Sequence, residues 1–489
     1  MLALLAASAS ALGCSWVLDH GANQCTADAD CAQFGGHPYC QSGICVPSGL
    51  GPPGCFLGQP AAPSEFAGQC STAQCLPFDD CARVSDCDGD GGGFAVSLPP
   101  ADSGSAPPLI AMEAAPTLNC ADPSRPNLIY VTGSTDLPPL IRAVQPLLTA
   151  GSPSYTVIYL PQTSCAGVAS VFDSDPKKRS IGNIPGNWAF FYDSSGNQTL
   201  CLLADGGSPV DVGASAVFPA SCNYQETPGI ADYQGPVQAI AFVVPAASTQ
   251  QSISAEAAHL VFGAGGDHGL AAPWTDPTLY FVRGAGTGTS QLASRAIEVS
   301  PDQWWGLDRT SAANLLASME SVDPTVAEKA IGVLSSEFAD SDRVKLRELA
   351  FQQPGESCGY LPDSASGAFD KQNVRDGHYP IWGALHLFAP TVNGVPSQAA
   401  GALVTRFTVP KLDPTLVGAV ISAGFIPSCA MAVLRTTDLG PLASSQPQFG
   451  CGCFYAKQVS GSTSCASCAG AGDCPTSAPA CNYGYCEIR

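Results

Sequence analysis

"NLIYVTGSTDLPPLIRAVQPLLTAGSPSYTVIYL", residues 127–160, decides the fold of this chain. Its two ends are compact runs of apolar and β-branched residues, a pattern typical of buried strands. Between them the apolar residues recur at helical spacing, at Leu140, Ile141, Val144, Leu147 and Leu148. The segment therefore predicts a strand, a small-residue loop, a helix and a second strand.

The same alternation continues through the middle of the chain. "VQAIAFVV" (237–244) and "TLYFV" (278–282) are further candidates for buried strands, with helical stretches between the strand-like runs. Strands that alternate with helices over some 300 residues predict an α/β fold, with more than one sheet.

The amino-acid composition argues against some classes of binding partner. The chain has 489 residues, enough for two or three domains, and its 20 basic against 41 acidic side chains give a net charge of -21. This charge argues against binding to nucleic acid or to an anionic membrane surface. Any bound anion must be held by nearby hydrogen-bond donors against the repulsion of the negative net charge.

The N-terminal stretch "MLALLAASASALGC" (1–14) is a short apolar run that ends in small residues before Cys14. This pattern predicts a signal peptide over 1–13. It resembles a bacterial lipoprotein signal, which implies that Cys14 is lipidated and that the protein is anchored in the bacterial cell envelope, outside the cytoplasm. An ordinary secretory signal is the alternative.

The large number of cysteines also predicts that the protein is exported from the cytoplasm. Of 23 cysteines, 22 remain if Cys14 is lipidated, enough for eleven disulfides in an oxidising compartment. A zinc site involving the close pairs Cys465/Cys468 and Cys451/Cys453 is the alternative, but no Cys/His set gives four ligands at zinc spacing. We therefore predict disulfides and no metal site.

The cysteines also divide the chain. They concentrate in a predicted N-terminal module (14–90) and a C-terminal module (443–489), which flank a Gly/Pro/Ala-rich linker (91–124) and a central domain (125–442). The two modules share one pattern, C-x5-C followed by C-x4-C, at 25–45 and 468–486. We interpret this pattern as one small disulfide knot used twice.

Three loops of the central domain follow predicted strands and carry hydroxyl groups. They are "GST" with Ser134 and Thr135, "PQTSCAG" (161–167) with Ser164, and "RGAGTGT" (283–289) with Thr287, Gly288 and Thr289. A loop that leads into a helix N-terminus favours an anion, because unpaired N–H groups point out of it. Thr289 is the predicted cap of the helix that follows the third loop.

Arg283 makes the third loop the best candidate for an anion site. An arginine at the end of an apolar strand, beside glycines and hydroxyls, presents a fork of donors suited to a tetrahedral oxyanion. A salt bridge to one of the abundant carboxylates is the alternative for this side chain.

The central domain resembles the substrate-binding proteins of bacterial phosphate transporters, which have the type 2 periplasmic binding protein fold. The resemblance rests on the loop from Arg283 to Thr289, on Phe262-Gly263 and Trp274 ahead of it, and on "VTGSTDLPPLI" and "DVGASAVF". It implies two α/β lobes, one of about 125–235 with 375–442 and the other of about 236–374. It also implies a small oxyanion bound between the lobes by Ser134, Thr135, Ser164, Arg283, Thr287, Gly288 and Thr289.

One residue departs from the family pattern. Ala216 stands where the family commonly has an aspartate that would accept a hydrogen bond from a protonated phosphate oxygen. Phosphate selectivity therefore lacks its clearest physical basis in this chain. Cys165 in the second loop is a further departure, and we expect it to pair with another cysteine.

These observations predict a binding protein rather than an enzyme. The chain has neither a Gly-x-Ser-x-Gly elbow nor a His-Glu-x-x-His motif, and no cofactor is predicted. The expected ligand is a phosphate-like oxyanion, and the expected partner is a membrane transporter or a surface protein. The alternative is a surface scaffold lipoprotein with a degenerate binding site.

Overall fold

A computed structural model describes residues 66, 69–83, 117–182, 186–265, 271–354, 356 and 358–488, and also the strand positions 39–41, 44–46, 50–51 and 55–56. The chain forms two compact units, which are treated separately: residues 1–60 with 68–71, and residues 61–67 with 72–489. Cys14, the predicted signal peptide and residues 91–116 of the predicted linker lie outside the described residues.

The strands of the described chain are β1 (Tyr39–Gln41), β2 (Ile44–Val46), β3 (Leu50–Gly51), β4 (Cys55–Phe56), β5 (Cys75–Leu76), β6 (Leu128–Ser134), β7 (Thr156–Gln162), β8 (Ser180–Ile181), β9 (Trp188–Tyr192), β10 (Gln198–Leu202), β11 (Ser208–Pro209), β12 (Val212–Ser215), β13 (Ile230–Pro245), β14 (Ser252–Ser254), β15 (Tyr280–Val282), β16 (Leu307–Asp308), β17 (Ile331–Ser335), β18 (Leu346–Glu348), β19 (Ala350–Gln352), β20 (Gly359–Tyr360), β21 (Trp382–Val392), β22 (Val395–Pro396), β23 (Val433–Leu434), β24 (Ala443–Ser444), β25 (Ala480–Asn482) and β26 (Tyr485–Glu487).

The α-helices in the described part of the chain are α1 (Asp80–Arg83), α2 (Pro138–Thr149), α3 (Ser164–Phe172), α4 (Ala255–Ala264), α5 (Gly288–Ile297), α6 (Ala312–Glu320), α7 (Ser336–Ser341), α8 (Gln372–Asp376), α9 (Gln398–Thr408), α10 (Pro414–Ser422) and α11 (Gly452–Ser460).

One large sheet organises the second unit, with the strand order β10-β9-β7-β6-β12-β21-β13-β17-β15-β16. The strands β7, β6 and β12 are mutually parallel, and so are β17, β15 and β16. We call the region built on β6, β7, β9, β10, β12 and β21 lobe 1, and the region built on β15, β16 and β17 lobe 2. Parallel strands joined by helices are the arrangement that the alternating sequence pattern predicted.

The long strand β13 belongs to both lobes. Its first part pairs antiparallel with β21, from Ile230 to Ala239, and its last part pairs antiparallel with β17, from Ile240 to Val243. The register shifts between Gln234 and Val237, at the sequence Gly235-Pro236. A bulge of this kind bends the strand, because one residue loses its place in the ladder.

The opening segment of the central domain folds as predicted. Helix α2 buries Leu140, Ile141, Val144 and Leu148, four of the five apolar residues expected to face the core. They pack with α9 and α10 against one face of the lobe 1 sheet. Gly133, at φ 130°, has no room for a side chain, because an added Cβ would lie 1.9 Å from the carbonyl oxygen of Ala214.

Among the described residues, two disulfides connect the cysteine-rich ends to the α/β domain. Cys75 is bonded to Cys358, where β5 extends a sheet of order β14-β19-β20-β5. Cys429 is bonded to Cys451, which precedes α11, and α11 packs on α10. The C-terminal module is therefore part of the same compact unit as the α/β domain.

The C-terminal knot has alternating bridges. Cys468 pairs with Cys481 and Cys474 pairs with Cys486, so the first cysteine is bonded to the third and the second to the fourth. Another bridge joins Cys453 to Cys465. The cysteines considered as possible zinc ligands are therefore disulfide-bonded, as predicted.

The predicted fold class is confirmed: the chain is α/β, with two lobes and disulfide-rich segments. The residue boundaries proposed for the modules, the linker and the two lobes stay predictions. None of the helices in the described part of the chain is both long enough and apolar enough to span a lipid bilayer.

Candidate functional site

The first predicted loop lies at the end of β6, facing lobe 2. The main-chain oxygen of Ser134 accepts a hydrogen bond from the Tyr159 hydroxyl, which holds the end of β6 against β7. The Ser134 hydroxyl lies 3.1 Å from the Asp136 carboxylate. The neighbouring Thr135 hydroxyl lies 3.5 Å from an Arg283 guanidinium nitrogen. This loop therefore brings Thr135 and Asp136 to the predicted anion-binding arginine.

Arg283 directly follows β15 and is only 4% exposed. The contact with Thr135 is at the outer limit of a hydrogen bond, and Arg283 Nε has no hydrogen-bond partner among the described residues. Within that same part of the chain, no carboxylate oxygen lies within 4.0 Å of the guanidinium. A buried donor without an acceptor is destabilising, by roughly 1–3 kcal/mol. Arg283 is thus a buried cation whose hydrogen-bonding capacity is largely unused.

Three carboxylates surround Arg283 at longer range. Burial lowers the pKa of Arg283, while Asp136, Asp308 and Glu337 act in the opposite direction. Burial in turn raises the pKa of Asp136, against the effect of Arg283. The sequence-based site did not include these acids. Asp136 directly follows the predicted loop and could have been found, whereas Glu337 shows no local signal.

Glu337, in the first turn of α7, is the most perturbed of these acids. Burial, followed by the nearby charge of Asp136, raises its pKa to about 8. Gln238 on β13 and Ser335 at the end of β17 donate hydrogen bonds to Glu337 Oε1, at 2.6 and 2.8 Å. Glu337 Oε2 is inaccessible and has no partner in the described part of the chain. Burial therefore favours the protonated form of this carboxyl group.

The second and third predicted loops contact each other directly. The Cys165 N–H in lobe 1 donates a 3.0 Å hydrogen bond to the Gly286 carbonyl oxygen. The Ser164 hydroxyl accepts a 3.1 Å hydrogen bond from the Ala216 N–H. A Cβ atom added to Gly288 would lie 2.6 Å from the Ala216 Cβ atom and 2.8 Å from Ser164 Oγ. Gly288 is therefore packed directly against both Ser164 and Ala216.

The predicted cap of the third loop was wrong by two residues. Thr287, not Thr289, caps α5: its hydroxyl accepts a hydrogen bond from the Ser290 N–H. The Thr287 hydroxyl also donates a 2.9 Å hydrogen bond to the Gly284 carbonyl oxygen, so it stabilises the loop as well as the start of the helix. Thr289 lies inside the first turn of α5 and is buried. The reason is that α5 begins at Gly288, earlier than the apolar pattern indicated.

Cys165 pairs with Cys222, which follows β12 in the chain. The bond fixes the start of α3 to the short 3-10 turn at Pro219–Cys222. The expectation that Cys165 is disulfide-bonded is confirmed.

A cavity of about 540 Å³ opens beside Thr135 and Asp136. Its other walls come from α7 and the segment that includes Lys371, and from α10 and α11. Residues of both lobes and of the C-terminal module therefore line one space. This size lies within the range of pockets for small organic ligands, about 300–1,000 Å³.

A second acidic cluster is occupied by the protein's own cations. Asp340, Glu348 and Asp363 lie close enough together to suggest a metal site. Lys371 lies 2.7 Å from Asp340 and 2.9 Å from Asp363, and Arg343 also pairs with both acids. These ion pairs supply the positive charge that a metal ion would bring.

Comparison with known proteins gives structural similarities only. No protein-family model matches the sequence, and no curated protein matches it.

Several solved structures are similar to this chain. An ABC-type phosphate transport receptor from Vibrio cholerae shares 13% identity over 61% of this chain and 99% of its own, with a TM-score of 0.40. PstS from Borrelia burgdorferi shares 12% over 62% of this chain and 98% of its own, with a TM-score of 0.35. The reduced OxyR regulatory domain from Pseudomonas aeruginosa shares 9% over 57% of this chain and 95% of its own, with a TM-score of 0.32. At such identities and TM-scores these similarities assign neither a family nor a ligand.

Proposed function

We propose that this protein is an extracytoplasmic solute-binding protein that binds a small, phosphate-like oxyanion between its two lobes, without catalysis. The observation that carries the proposal is Arg283: a guanidinium that is 4% exposed, with Nε unpartnered among the described residues. An anion at this position would satisfy the unused donors and offset the cost of burying the charge.

The donors near Arg283 are sufficient for useful affinity. Charge-assisted hydrogen bonds contribute roughly 1.5–3 kcal/mol each. Arg283, the Thr135 hydroxyl and two or three further donors would reach the approximately -8 kcal/mol of micromolar binding. Ser134, Ser164, Thr287, Gly288 and Thr289 are the proposed additional ligand residues, from the loops that meet at the lobe boundary.

The protonation of the surrounding carboxyl groups determines the pH range in which the site would bind an anion. Three ionised carboxylates close to Arg283 would repel an anion. With its pKa at about 8, however, Glu337 is mainly neutral at pH 7, and burial also raises the pKa of Asp136. A protonated carboxyl group can donate a hydrogen bond to an oxyanion. We therefore infer that the site binds its ligand best below pH 8.

The proposed location is the bacterial cell envelope, with a lipid anchor on Cys14. The seven disulfides among the described residues support an oxidising compartment. Intact mass spectrometry of the native protein would detect an acyl group on Cys14, and a free thiol there would reject the anchor. The proposed protein partner is a membrane transporter or a surface protein.

A scaffold role with a degenerate site is the second candidate. It is favoured by the direct packing of Gly288 on Ala216 and Ser164. Those contacts occupy the place where the second and third loops were expected to hold the ligand. In this case, no small anion would stabilise the protein.

Thermal unfolding with added phosphate, sulfate, arsenate and molybdate separates the two candidates. The proposed function predicts that at least one anion raises the unfolding temperature of the wild type, and that Arg283→Ala abolishes the increase. Arg179→Ala removes the same charge from an exposed position and should leave the increase intact. If no anion stabilises the wild type, the binding proposal fails and the scaffold role is favoured.

A further inference from the structure

Two hydrogen bonds beside α3 join the lobes in the described part of the chain. The Cys165 N–H, in the first turn of α3, donates to the Gly286 carbonyl oxygen at 3.0 Å. Arg295 Nε, on α5, donates to the Ser221 hydroxyl at 2.9 Å. Cys165 and Ser221 follow the lobe 1 strands β7 and β12, whereas Gly286 and Arg295 follow β15 of lobe 2. Both bonds therefore cross the lobe boundary.

One covalent bond joins the two lobe 1 partners. Cys165 is bonded to Cys222, the last residue of the 3-10 turn Pro219–Cys222. Cys222 directly follows Ser221 in the chain. The disulfide therefore links the residue that contacts Gly286 to the neighbour of the residue that contacts Arg295, so the two contacts are constrained to move together.

Ser221 also connects Arg295 to a buried carboxylate. The Ser221 hydroxyl donates a hydrogen bond to Asp438 Oδ2, and the Phe218 N–H donates to the same oxygen at 3.0 Å. Asp438 is 9% exposed. Burial raises the pKa of Asp438, whereas the Ser221 hydroxyl and the charge of Arg295 act in the opposite direction. The cation of lobe 2 thus lies at one end of a hydrogen-bonded chain that has an acid at its other end.

The lobe 2 partners of these contacts belong to the predicted anion loop and its helix. Gly286 lies within the loop that begins at Arg283, and Arg295 is on α5, which follows the loop directly. The Thr287 hydroxyl caps this helix, so the loop and α5 are held together. A shift of α5 away from Ser221 would therefore also displace the loop from lobe 1.

Each of these contacts is weak by itself. A hydrogen bond contributes roughly 0.5–1.5 kcal/mol net, and Arg295 is exposed to solvent. Ordering two separate segments for two such bonds would cost a comparable free energy in lost conformational entropy. The disulfide reduces this cost, because it already holds α3 and the 3-10 turn in one arrangement.

We propose that the Cys165–Cys222 disulfide is a positioning element for ligand binding, which fastens Cys165 and Ser221 into one latch that holds the anion loop of lobe 2 against lobe 1. The two cysteines act through the segments they join and do not themselves bind the ligand. Without the bond, the contacts to Gly286 and Arg295 would form independently, and the loop would be held less tightly. The effect on affinity rests on the proposed function, whereas the effect on the loop does not.

Hydrogen–deuterium exchange of the full chain without added anion tests the latch. The double variant Cys165→Ser with Cys222→Ser removes the bond with little change in side-chain size. We expect the amides of residues 286–292, in lobe 2, to exchange about tenfold faster than in the wild type, because local opening controls their exchange. The amides of β17, which belongs to the same lobe, should keep their wild-type rates.

This comparison separates a latch from a general effect on stability. A disulfide that only stabilised lobe 1 would leave residues 286–292 unchanged, and a general loss of stability would accelerate exchange in β17 as well. Either result would overturn the proposal. The matched control is Cys75→Ser with Cys358→Ser, which removes a bond from the sheet β14-β19-β20-β5 and should leave residues 286–292 unchanged.

Ser221→Ala tests the same latch with both cysteines in place. It removes the acceptor of Arg295 and should also accelerate exchange at residues 286–292. If the double serine variant does not fold, Ser221→Ala decides the question alone, and wild-type exchange in that variant rejects the latch.

Titration with the inorganic anion that most stabilises the wild type adds the functional readout. The double serine variant should bind this anion about tenfold more weakly, and the Cys75/Cys358 control within about twofold of the wild type. If the anion binds wild type and double variant equally, the positioning role is rejected and the oxyanion site stands. If exchange responds as expected but no anion binds the wild type, the proposed function fails and only the contact between the lobes stands.

Discussion

Thr135, which follows β6 of lobe 1, lies 3.5 Å from Arg283, which follows β15 of lobe 2. The two residues are 148 positions apart in the chain, and each stands at the carboxyl end of a strand. Crevices at such strand ends are where open α/β sheets bind ligands. This contact therefore marks the part of the molecule on which the predictions below concentrate.

The planar geometry of the Arg283 guanidinium should contribute to anion binding as well as its charge. We predict that Arg283→Lys weakens oxyanion binding by about tenfold or more, because lysine keeps the charge but cannot present two parallel donors. Titration of the wild type and the variant with the best inorganic anion measures the effect. Equal affinities would show that the residue acts only as a point charge.

Glu337 should make folding stability depend on pH. Its pKa of about 8 in the folded protein is above its ordinary value. The contribution of the protonated carboxyl group to the free energy of unfolding is therefore fully present below about pH 4.5. That contribution is lost as the pH rises through 8, with a slope of at most about 1.4 kcal/mol per pH unit. Wild type should therefore lose stability relative to Glu337→Gln between pH 5 and pH 8.

Urea unfolding of both proteins at each pH measures this difference. Glu226→Gln serves as the control and should follow the wild type. Parallel stability curves for wild type and Glu337→Gln over pH 5–8 would contradict a raised pKa.

Gly288 should tolerate no side chain. An added Cβ would meet Ala216 Cβ at 2.6 Å and Ser164 Oγ at 2.8 Å. We predict that Gly288→Ala destabilises the protein by about 1–3 kcal/mol, the usual cost of overpacking.

The matched control is Gly418→Ala in α10, where an added Cβ meets nothing within 4 Å. There, alanine should be neutral or stabilise by up to about 1 kcal/mol, because it favours the helix. Urea unfolding compares both variants. A neutral Gly288→Ala would mean that the two loops do not pack together in solution.

The repeated knot predicts disulfides in the N-terminal module. The hairpin β25–β26 pairs Cys481 opposite Cys486, and β1–β2 pairs Cys40 opposite Cys45 in the same register. Cys25 and Cys31 lie outside the described residues. From the shared sequence pattern we predict the alternating bonds Cys25–Cys40 and Cys31–Cys45, as in the C-terminal knot.

Peptide mapping under non-reducing conditions identifies these bonds directly. The peptides of the C-terminal knot provide an internal control in the same digest. A Cys25–Cys31 or Cys40–Cys45 peptide would show that the two knots differ.

The elements predicted from sequence were those that depend on local periodicity. Apolar runs gave the positions of β6, β7, β13 and β15, and helical spacing gave α2, because each signal is contained within a few turns or a single strand. The cap of α5 was placed two residues late, since Thr287 and Thr289 are equally good capping residues and only the start of the helix distinguishes them.

The acidic half of the site could not be predicted in the same way. Glu337 reaches Gln238 across 99 residues, and its pKa depends on burial and on Asp136 in the other lobe. These are properties of the assembled sheet rather than of any short segment. The sequence therefore indicated an anion site at Arg283 but not the carboxyl groups that set its charge balance.

The shared strand β13 has a mechanical consequence. Its main-chain hydrogen bonds to β21 and β17 connect the lobes whether or not a ligand is present. The lobes therefore cannot separate without breaking this ladder. Under the proposed function, solute entry would be limited to relative rotations of the lobes that keep this ladder intact, and molecules too large for such an opening would be excluded before they reach Arg283.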